Sequence, residues 1–392
     1  MSTNEGFELP VPKTADREKS IALIHELVER MAEGPIPFSE YMGTVLYHPR
    51  YGYYGSGQVA FGPGGDFITA PERSSLFTEG IAWEWVQARA GEEIGEEILE
   101  IGAGSGRLAI DLLARLAEER RLPRRYTILE IAPALAERQR AALREALPAA
   151  VFERLRWIDD WSALDWQGGM VIANEVLDAM PVERFVWTPG RPETAERLLV
   201  GFDGARFRWE RAAPDPALRA AVAAIAARIG ISIAPLRGEV TAEYNPRLEA
   251  WFAAMHAALA GRASRVYLFD YGSHTADIYR ADREQGTLKC HYRHLAHEDP
   301  FVYPGLQDIT AWVDFEAVAE AARRAGFEID GERSQAQWLM GTDVPRRLER
   351  RLLAETDMAA QTRLAQEFRD LVMPTEMGER FRVMRLRLEA ID

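Results

Sequence analysis

Glu97-Ile98-Leu99-Glu100-Ile101-Gly102-Ala103-Gly104-Ser105-Gly106 joins an apolar run to a glycine-rich turn, and Leu108, Ala109, Leu112, Leu113 and Leu116 follow at helical spacing. The order reads strand, turn, helix. A second strand, Tyr126 to Glu130, comes about one crossover later, with further apolar runs at Leu155 to Ile158, Met170 to Ala173 and Val266 to Phe269. Strands alternating with helical patterns predict an α/β fold built on a doubly wound, mostly parallel sheet.

Working outward, the stretch from Arg184 to Arg262 is too long for one crossover and predicts an inserted α+β subdomain, residues 184–262. Its first half alternates like strands, with Asp203-Gly204 as a hairpin turn; Pro216 to Ile229 and Pro246 to Leu259 read as helix. Upstream, Ile21, Ile24, Leu27, Val28 and Met31 predict a helix from Arg17 to Met31, ended by Gly34-Pro35. From there to Glu72 the density of Gly, Pro and aromatic residues predicts irregular backbone, either a functional lid or an arm stapled by its rings. Another helix is expected from Leu76 to Arg89. Residues 1–95 thus form an N-terminal helix and arm, and 96–183 with 263–392 form the core. The core closes with a helix Phe315 to Ala325, a strand near Phe327 to Ile329, a charged helix Val344 to Leu371 and a final strand Phe381 to Leu386.

The composition of the 392 residues, 47% hydrophobic and 28% charged, is globular. With 61 acidic against 47 basic residues the net charge is −14, which disfavours nucleic-acid partners. The single cysteine, Cys290, excludes an internal disulfide and a multi-thiolate metal site. No run approaches the roughly 20 uninterrupted apolar residues of a spanning helix, so no membrane partner is expected. The acidic N-terminus lacks a signal core and resembles no organelle presequence, so a bacterial cytoplasmic protein is expected.

Which ligand the glycine turn holds depends on its spacing. A dinucleotide fingerprint needs Gly-x-Gly-x-x-Gly; here Gly102, Gly104 and Gly106 alternate, with Glu100 two residues before them. That spacing resembles the S-adenosylmethionine loop of class I methyltransferases, whose strand-end acid lies near the cofactor's amino group. Glu130 ends the second strand, where a carboxylate can accept ribose hydroxyls. Asp159 and Asp160, followed by Trp161, end the third strand, where they could flank an adenine. Asn174 and Glu175 end the fourth. Strand carboxyl ends form the ligand crevice of an open α/β sheet, so these sites converge.

Several further motifs make the chain similar to the MidA family of S-adenosylmethionine-dependent methyltransferases. They are Gly34-Pro35-Ile36-Pro37-Phe38, Leu46-Tyr47-His48-Pro49, Gly65-Asp66-Phe67 with Thr69-Ala70-Pro71-Glu72, Asn174-Glu175 with Asp178-Ala179 and Pro181, Asp270-Tyr271-Gly272, and Asp308-Ile309-Thr310 with Val313-Asp314-Phe315. Val176-Leu177 departs from the aromatic residues usual there, and Met180 replaces Leu. The resemblance implies a Rossmann-like class I methyltransferase fold, S-adenosylmethionine as cofactor, and methyl transfer to arginine of a protein substrate. In mitochondrial members this gives symmetric dimethylarginine and assists respiratory complex I assembly.

On this reading Glu175 and Asp178 grip the substrate guanidinium; alternatively, Asp178 caps a helix starting near Pro181, with Glu175 as cap partner. His294, in Tyr292-Arg293-His294, is a candidate proton acceptor or a bystander that holds its loop. The neighbouring histidines invite a metal reading, which methyl transfer does not need. The arm is expected to fold over the cofactor, with Tyr41 offering apolar surface and Asp66 and Glu72 offering acceptors. A non-catalytic cofactor-binding scaffold and a small-molecule methyltransferase remain as alternatives.

Overall fold

Met170, Val171, Ile172 and Ala173 are all buried, and successive side chains enter opposite cores. A strand covered on both faces must be apolar at every position, as parallel strands are. The computed structural model describes all residues except 1–8, 58, 60, 63, 64, 66–68, 92, 93, 231–237, 260, 391 and 392. The chain divides into an accessory unit, Met1–Phe67 with Pro181–Asn245 and Ala281–Ala311, and a core unit, Ile68–Met180 with Pro246–Arg280 and Trp312–Asp392.

The core unit carries strands β1 (Glu97–Ile101), β2 (Arg125–Leu129), β3 (Leu155–Ile158), β4 (Gly169–Asn174), β5 (Ser264–Ser273), β6 (Glu328–Ser334) and β7 (Phe381–Leu388). They lie in the order β6-β7-β5-β4-β1-β2-β3, and the short strand Val313–Asp314 pairs with the end of β5. The contacts from β5 through to β3 are parallel, whereas β7 runs antiparallel to both β5 and β6.

One face packs Ile98, Tyr126, Ile128 and Ile172 against helices α1 (Ser75–Ala90) and α2 (Arg107–Glu118). Leu108, Leu112, Leu113 and Leu116 form the buried stripe of α2. After α3 (Pro133–Ala146), helices α4 (Leu248–Leu259) and α5 (Phe315–Ala325) cover the other face with Phe252, Met255, Phe315 and Val318. This arrangement moves the expected boundaries. Helix α4, expected in the insertion, belongs to the core unit because its apolar face meets α5 and Phe327. Residues 281–311, expected in the core, belong to the accessory unit, where Lys289–Tyr292 pairs with Leu295–His297 and Asp308–Thr310.

The accessory unit is antiparallel. Arg191–Phe202 pairs with Ile36–Pro37, Glu183–Thr188 and Phe207–Ala212, the last across the Asp203-Gly204 turn, and Glu183–Thr188 also pairs with Val240–Tyr244. A buried ion pair, Arg184 Nε to Glu243 Oε1 at 3.0 Å, sits inside it, and Thr287 N–H donates to Glu243 at 2.8 Å. Three local expectations change. Phe38–Tyr47 is a helix, not irregular backbone, because Phe38, Tyr41, Met42, Val45 and Leu46 give it a buried face. The charged C-terminal helix breaks into Val344–Ala354 and Met358–Val372, where Asp357 caps the second piece by accepting from Ala359 N–H. No helix begins at Pro181; the strand Glu183–Thr188 follows, which removes the capping reading of Asp178 and Glu175.

Candidate active site at the carboxyl edge of the sheet

The turn after β1 depends on its glycines. Gly102, Gly104 and Gly106 have φ of +67°, +54° and +86°, a left-handed region that a Cβ makes costly. A Cβ at Gly106 would stand 2.6 Å from Leu143 Cδ1, and one at Gly102 would stand 3.2 Å from Val176 Cγ2. The turn therefore lies directly against the loop that follows β4. Gly102 N–H donates to Leu129 O at 2.9 Å, tying the turn to β2. The N-cap of α2, Gly106, supplies no side-chain cap, which leaves the helix start suited to a ligand carboxylate.

The acids at the edge divide by burial. Glu100 is 3% exposed and its Oε2 accepts the Tyr126 hydroxyl at 2.6 Å. Burial pushes its carboxyl up to about 7, with Glu130 adding repulsion. Glu130 accepts Ala132 N–H at 3.0 Å and Gln139 Nε2–H at 2.9 Å, and burial holds its carboxyl above the usual range. Gln139 also donates to Gly104 O at 3.0 Å and accepts Trp157 Nε1–H at 3.1 Å. One buried amide thus joins the turn after β1 to the ends of β2 and β3. Next to Glu130, Ile131 is 60% exposed, an apolar surface where a base could rest. Asp159 and Asp160 are exposed; Asp160 accepts Ser162 N–H at 2.8 Å, and hydrogen bonds from the Ser162 side chain and backbone hold its carboxyl below the usual range.

After β4, Glu175 takes φ of +52°, and its N–H donates to Phe269 O at 2.9 Å. Asp270, at the end of β5, receives the N–H groups of Val176, Leu177 and Asp178 on one carboxylate oxygen at 3.2, 2.8 and 3.4 Å. Its other oxygen receives Tyr271 N–H at 2.8 Å. Burial pushes the Asp270 carboxyl up to about 7 against the pull of those amides. The loop is thus wrapped around a buried carboxylate, and Asn174, Glu175 and Asp178 are left half-buried.

The short turn Ala70–Arg73 spans the two loops: Ala70 N–H donates to Glu175 Oε1 at 3.3 Å, and Ser105 Oγ–H donates to Glu72. Asp66 lies outside the described residues. Tyr41 is a core residue of the accessory unit and leaves the cofactor set. It is 0% exposed, its hydroxyl donates to Pro300 O at 2.9 Å, and its ring packs edge-on against Phe207 and Phe301. His294 is also in the accessory unit, exposed in a two-residue hairpin turn in which Arg293 and His294 both have positive φ. Its geometry is that of a turn residue. Gln139, Tyr126 and Asp270 were not singled out as site residues by sequence reasoning. Gln139 sits in an Arg- and Glu-rich helix where nothing marks it, whereas Asp270 stands in the Asp270-Tyr271-Gly272 motif.

Together these residues fit S-adenosylmethionine. The glycine turn admits close backbone approach, Glu130 can accept from a ribose, and Ile131 offers an apolar face. The strand order 3-2-1-4-5-7-6, with β7 reversed, differs from the six-strand dinucleotide order by that inserted strand. Fold and site therefore define a class I S-adenosylmethionine-dependent methyltransferase.

The family model described as "Putative S-adenosyl-L-methionine-dependent methyltransferase" matches residues 81–333. A Burkholderia thailandensis protein crystallised with S-adenosyl-homocysteine is 36% identical, with a TM-score of 0.85 over 98% of this chain and 96% of that one. The Drosophila melanogaster "Protein arginine methyltransferase NDUFAF7 homolog, mitochondrial" is 27% identical over 90% of this chain and 82% of its own length. The Bos taurus protein arginine methyltransferase NDUFAF7 is 27% identical over 93% and 82%. The chain belongs to the MidA family of S-adenosylmethionine-dependent methyltransferases.

Proposed function

We propose that this chain methylates a guanidinium nitrogen of an arginine in a protein substrate, with Glu175 and Asp178 holding the guanidinium. The observation that carries the reading is the loop after β4: two half-buried carboxylates three positions apart, set beside the glycine turn by Asp270. When bound, S-adenosylmethionine supplies an electrophilic methyl group on a sulfonium. An arginine is protonated at any physiological pH, so its nitrogens are poor nucleophiles. Carboxylates that accept its N–H groups orient one nitrogen and draw the positive charge toward the others. As the N–C bond forms and the C–S bond breaks, that nitrogen sheds one proton, which a carboxylate of the pair accepts.

The relatives named as protein arginine methyltransferases support this acceptor class. With the family resemblance, they make a respiratory complex I subunit the first acceptor to examine and symmetric dimethylarginine the product to look for. Mass spectrometry of host proteins with and without the gene tests the reading: a methylarginine that disappears with the gene and returns with the wild-type chain is expected. If S-adenosylhomocysteine binds but no host arginine changes, the scaffold reading takes its place.

A further inference from the structure

We propose that Glu72, and not the strand-end Glu100, is the carboxylate that receives the α-ammonium group of the cofactor's amino-acid portion. The proposal rests on the chain's use of S-adenosylmethionine and reassigns the position that the family resemblance gives to Glu100.

A carboxylate that binds an ammonium ion needs three properties: it must be charged, it must reach the ligand side of the glycine turn, and it must keep an oxygen uncommitted. Glu100 fails on the first two counts. It is 3% exposed, one oxygen is taken by the Tyr126 hydroxyl at 2.6 Å, and it belongs to a strand buried at all five positions. Its upward shift to about 7 leaves it partly neutral at physiological pH. It serves as a buried link between β1 and β2.

Glu72 has the opposite environment. It is half-buried on the Ala70–Arg73 turn, which packs on α2. One carboxylate oxygen accepts the Ser105 hydroxyl, while Oε2 has no hydrogen-bond partner among the described residues. Ser105 is itself oriented, since its Oγ accepts Arg107 N–H at 3.2 Å. Gly104 and Gly106 flank it, so no Cβ on either neighbour obstructs approach to the hydroxyl and the carboxylate behind it. The turn's first amide reaches Glu175 Oε1 at 3.3 Å, so one short segment carries both the Glu72 carboxylate and a tie to the loop after β4.

Calorimetry on the full chain separates this role from a merely structural tie. The ligands are S-adenosylhomocysteine and its analogue with hydrogen in place of the α-amino group. Glu72→Gln is expected to raise the Kd for S-adenosylhomocysteine about 10- to 100-fold and to change the Kd for the deamino analogue less than about 2-fold. Ser105→Ala, which keeps the carboxylate and loosens its anchor, is expected to show the same selectivity at about 3- to 10-fold, and stands in if Glu72→Gln does not fold. Glu100→Gln is expected to show no selectivity for the amino group. An equal loss for both ligands in Glu72→Gln, or an ammonium-selective loss in Glu100→Gln, overturns the assignment. If wild-type protein binds neither ligand, the reading as a cofactor-dependent methyltransferase fails first.

Discussion

At the end of β1 the acid faces inward and the glycines face the ligand side; at the end of β4 the acids stay half-buried at the edge, and the burial is done by Asp270 from the neighbouring strand. Both loops solve one problem, presenting polar groups at the edge of an apolar sheet, by different means. The β1 turn needs backbone to come close to a ligand, so it dispenses with side chains and uses three positive-φ glycines. The β4 loop needs carboxylates in fixed positions, so its backbone amides are gathered on a carboxylate that never meets solvent. A buried acid is thus scaffold in both loops, and the half-buried acids of the β4 loop are the ones left available for chemistry.

Substitutions can break this contrast. The largest effect is expected at Glu175: Glu175→Gln should lower methyl transfer by about 100- to 1,000-fold while leaving the affinity for S-adenosylhomocysteine within about threefold. Steady-state turnover paired with calorimetry checks it, and undiminished turnover would remove Glu175 from the acceptor site.

The next effect is a pH dependence. Unfolded, the Glu100 carboxyl titrates near 4.3; folded, it titrates at about 7. Between those values the folded state holds more protons. Stability therefore falls as pH rises through that window, by on the order of 3 kcal/mol from this group, and levels off above about 7. Glu100→Gln should flatten the slope, leaving the similar share from Asp270. Urea unfolding of both proteins between pH 4.5 and 7.5 measures it, and identical slopes would contradict the inward placement of Glu100.

Asp270→Asn leaves an N–H₂ group facing backbone donors, at about 2 kcal/mol of stability. It should lower turnover more than cofactor affinity, because the loop it shapes carries the two carboxylates proposed to hold the acceptor; an equal fall in both would mean a general loss of structure. Gly106→Ala, at φ +86° with Leu143 Cδ1 only 2.6 Å away, should cost about 1–2 kcal/mol and weaken S-adenosylhomocysteine binding. The smallest effect is expected for Asp160→Ala, which removes the cap of a one-turn helix at the surface, about 0.5–1 kcal/mol in chemical unfolding.

The sheet was legible because β1 to β5 are runs rich in apolar residues: Leu155–Ile158 is observed as read, and Met170 to Ala173 extends by one residue at each end. The accessory unit was less legible. Its helix Phe38–Tyr47 is hidden among Gly, Pro and aromatic residues, and it forms because tertiary burial of Phe38, Tyr41 and Met42 overrides those local signals. For the same reason Tyr41 read as a ligand contact and is a core residue. Among the acids, residue type and strand-end position marked Glu100, Glu130 and Glu175 alike, since nothing local distinguishes a carboxylate that will be buried from one that will not.

By itself, then, the sequence determined the alternation of strands and helices, the glycine turn and the row of acids at successive strand ends, because periodicity, glycine and charge are local properties. Only the tertiary structure decided which acids are buried scaffold and which stay half-buried at the sheet edge. Tyr126 comes from the next strand to take Glu100, Gln139 from a crossover helix to join Gly104 to Glu130, and Asp270, 92 to 94 residues beyond the β4 loop, to gather its amides. Burial and hydrogen-bond partners are supplied by segments far apart in the chain, and they set the charge each carboxylate carries.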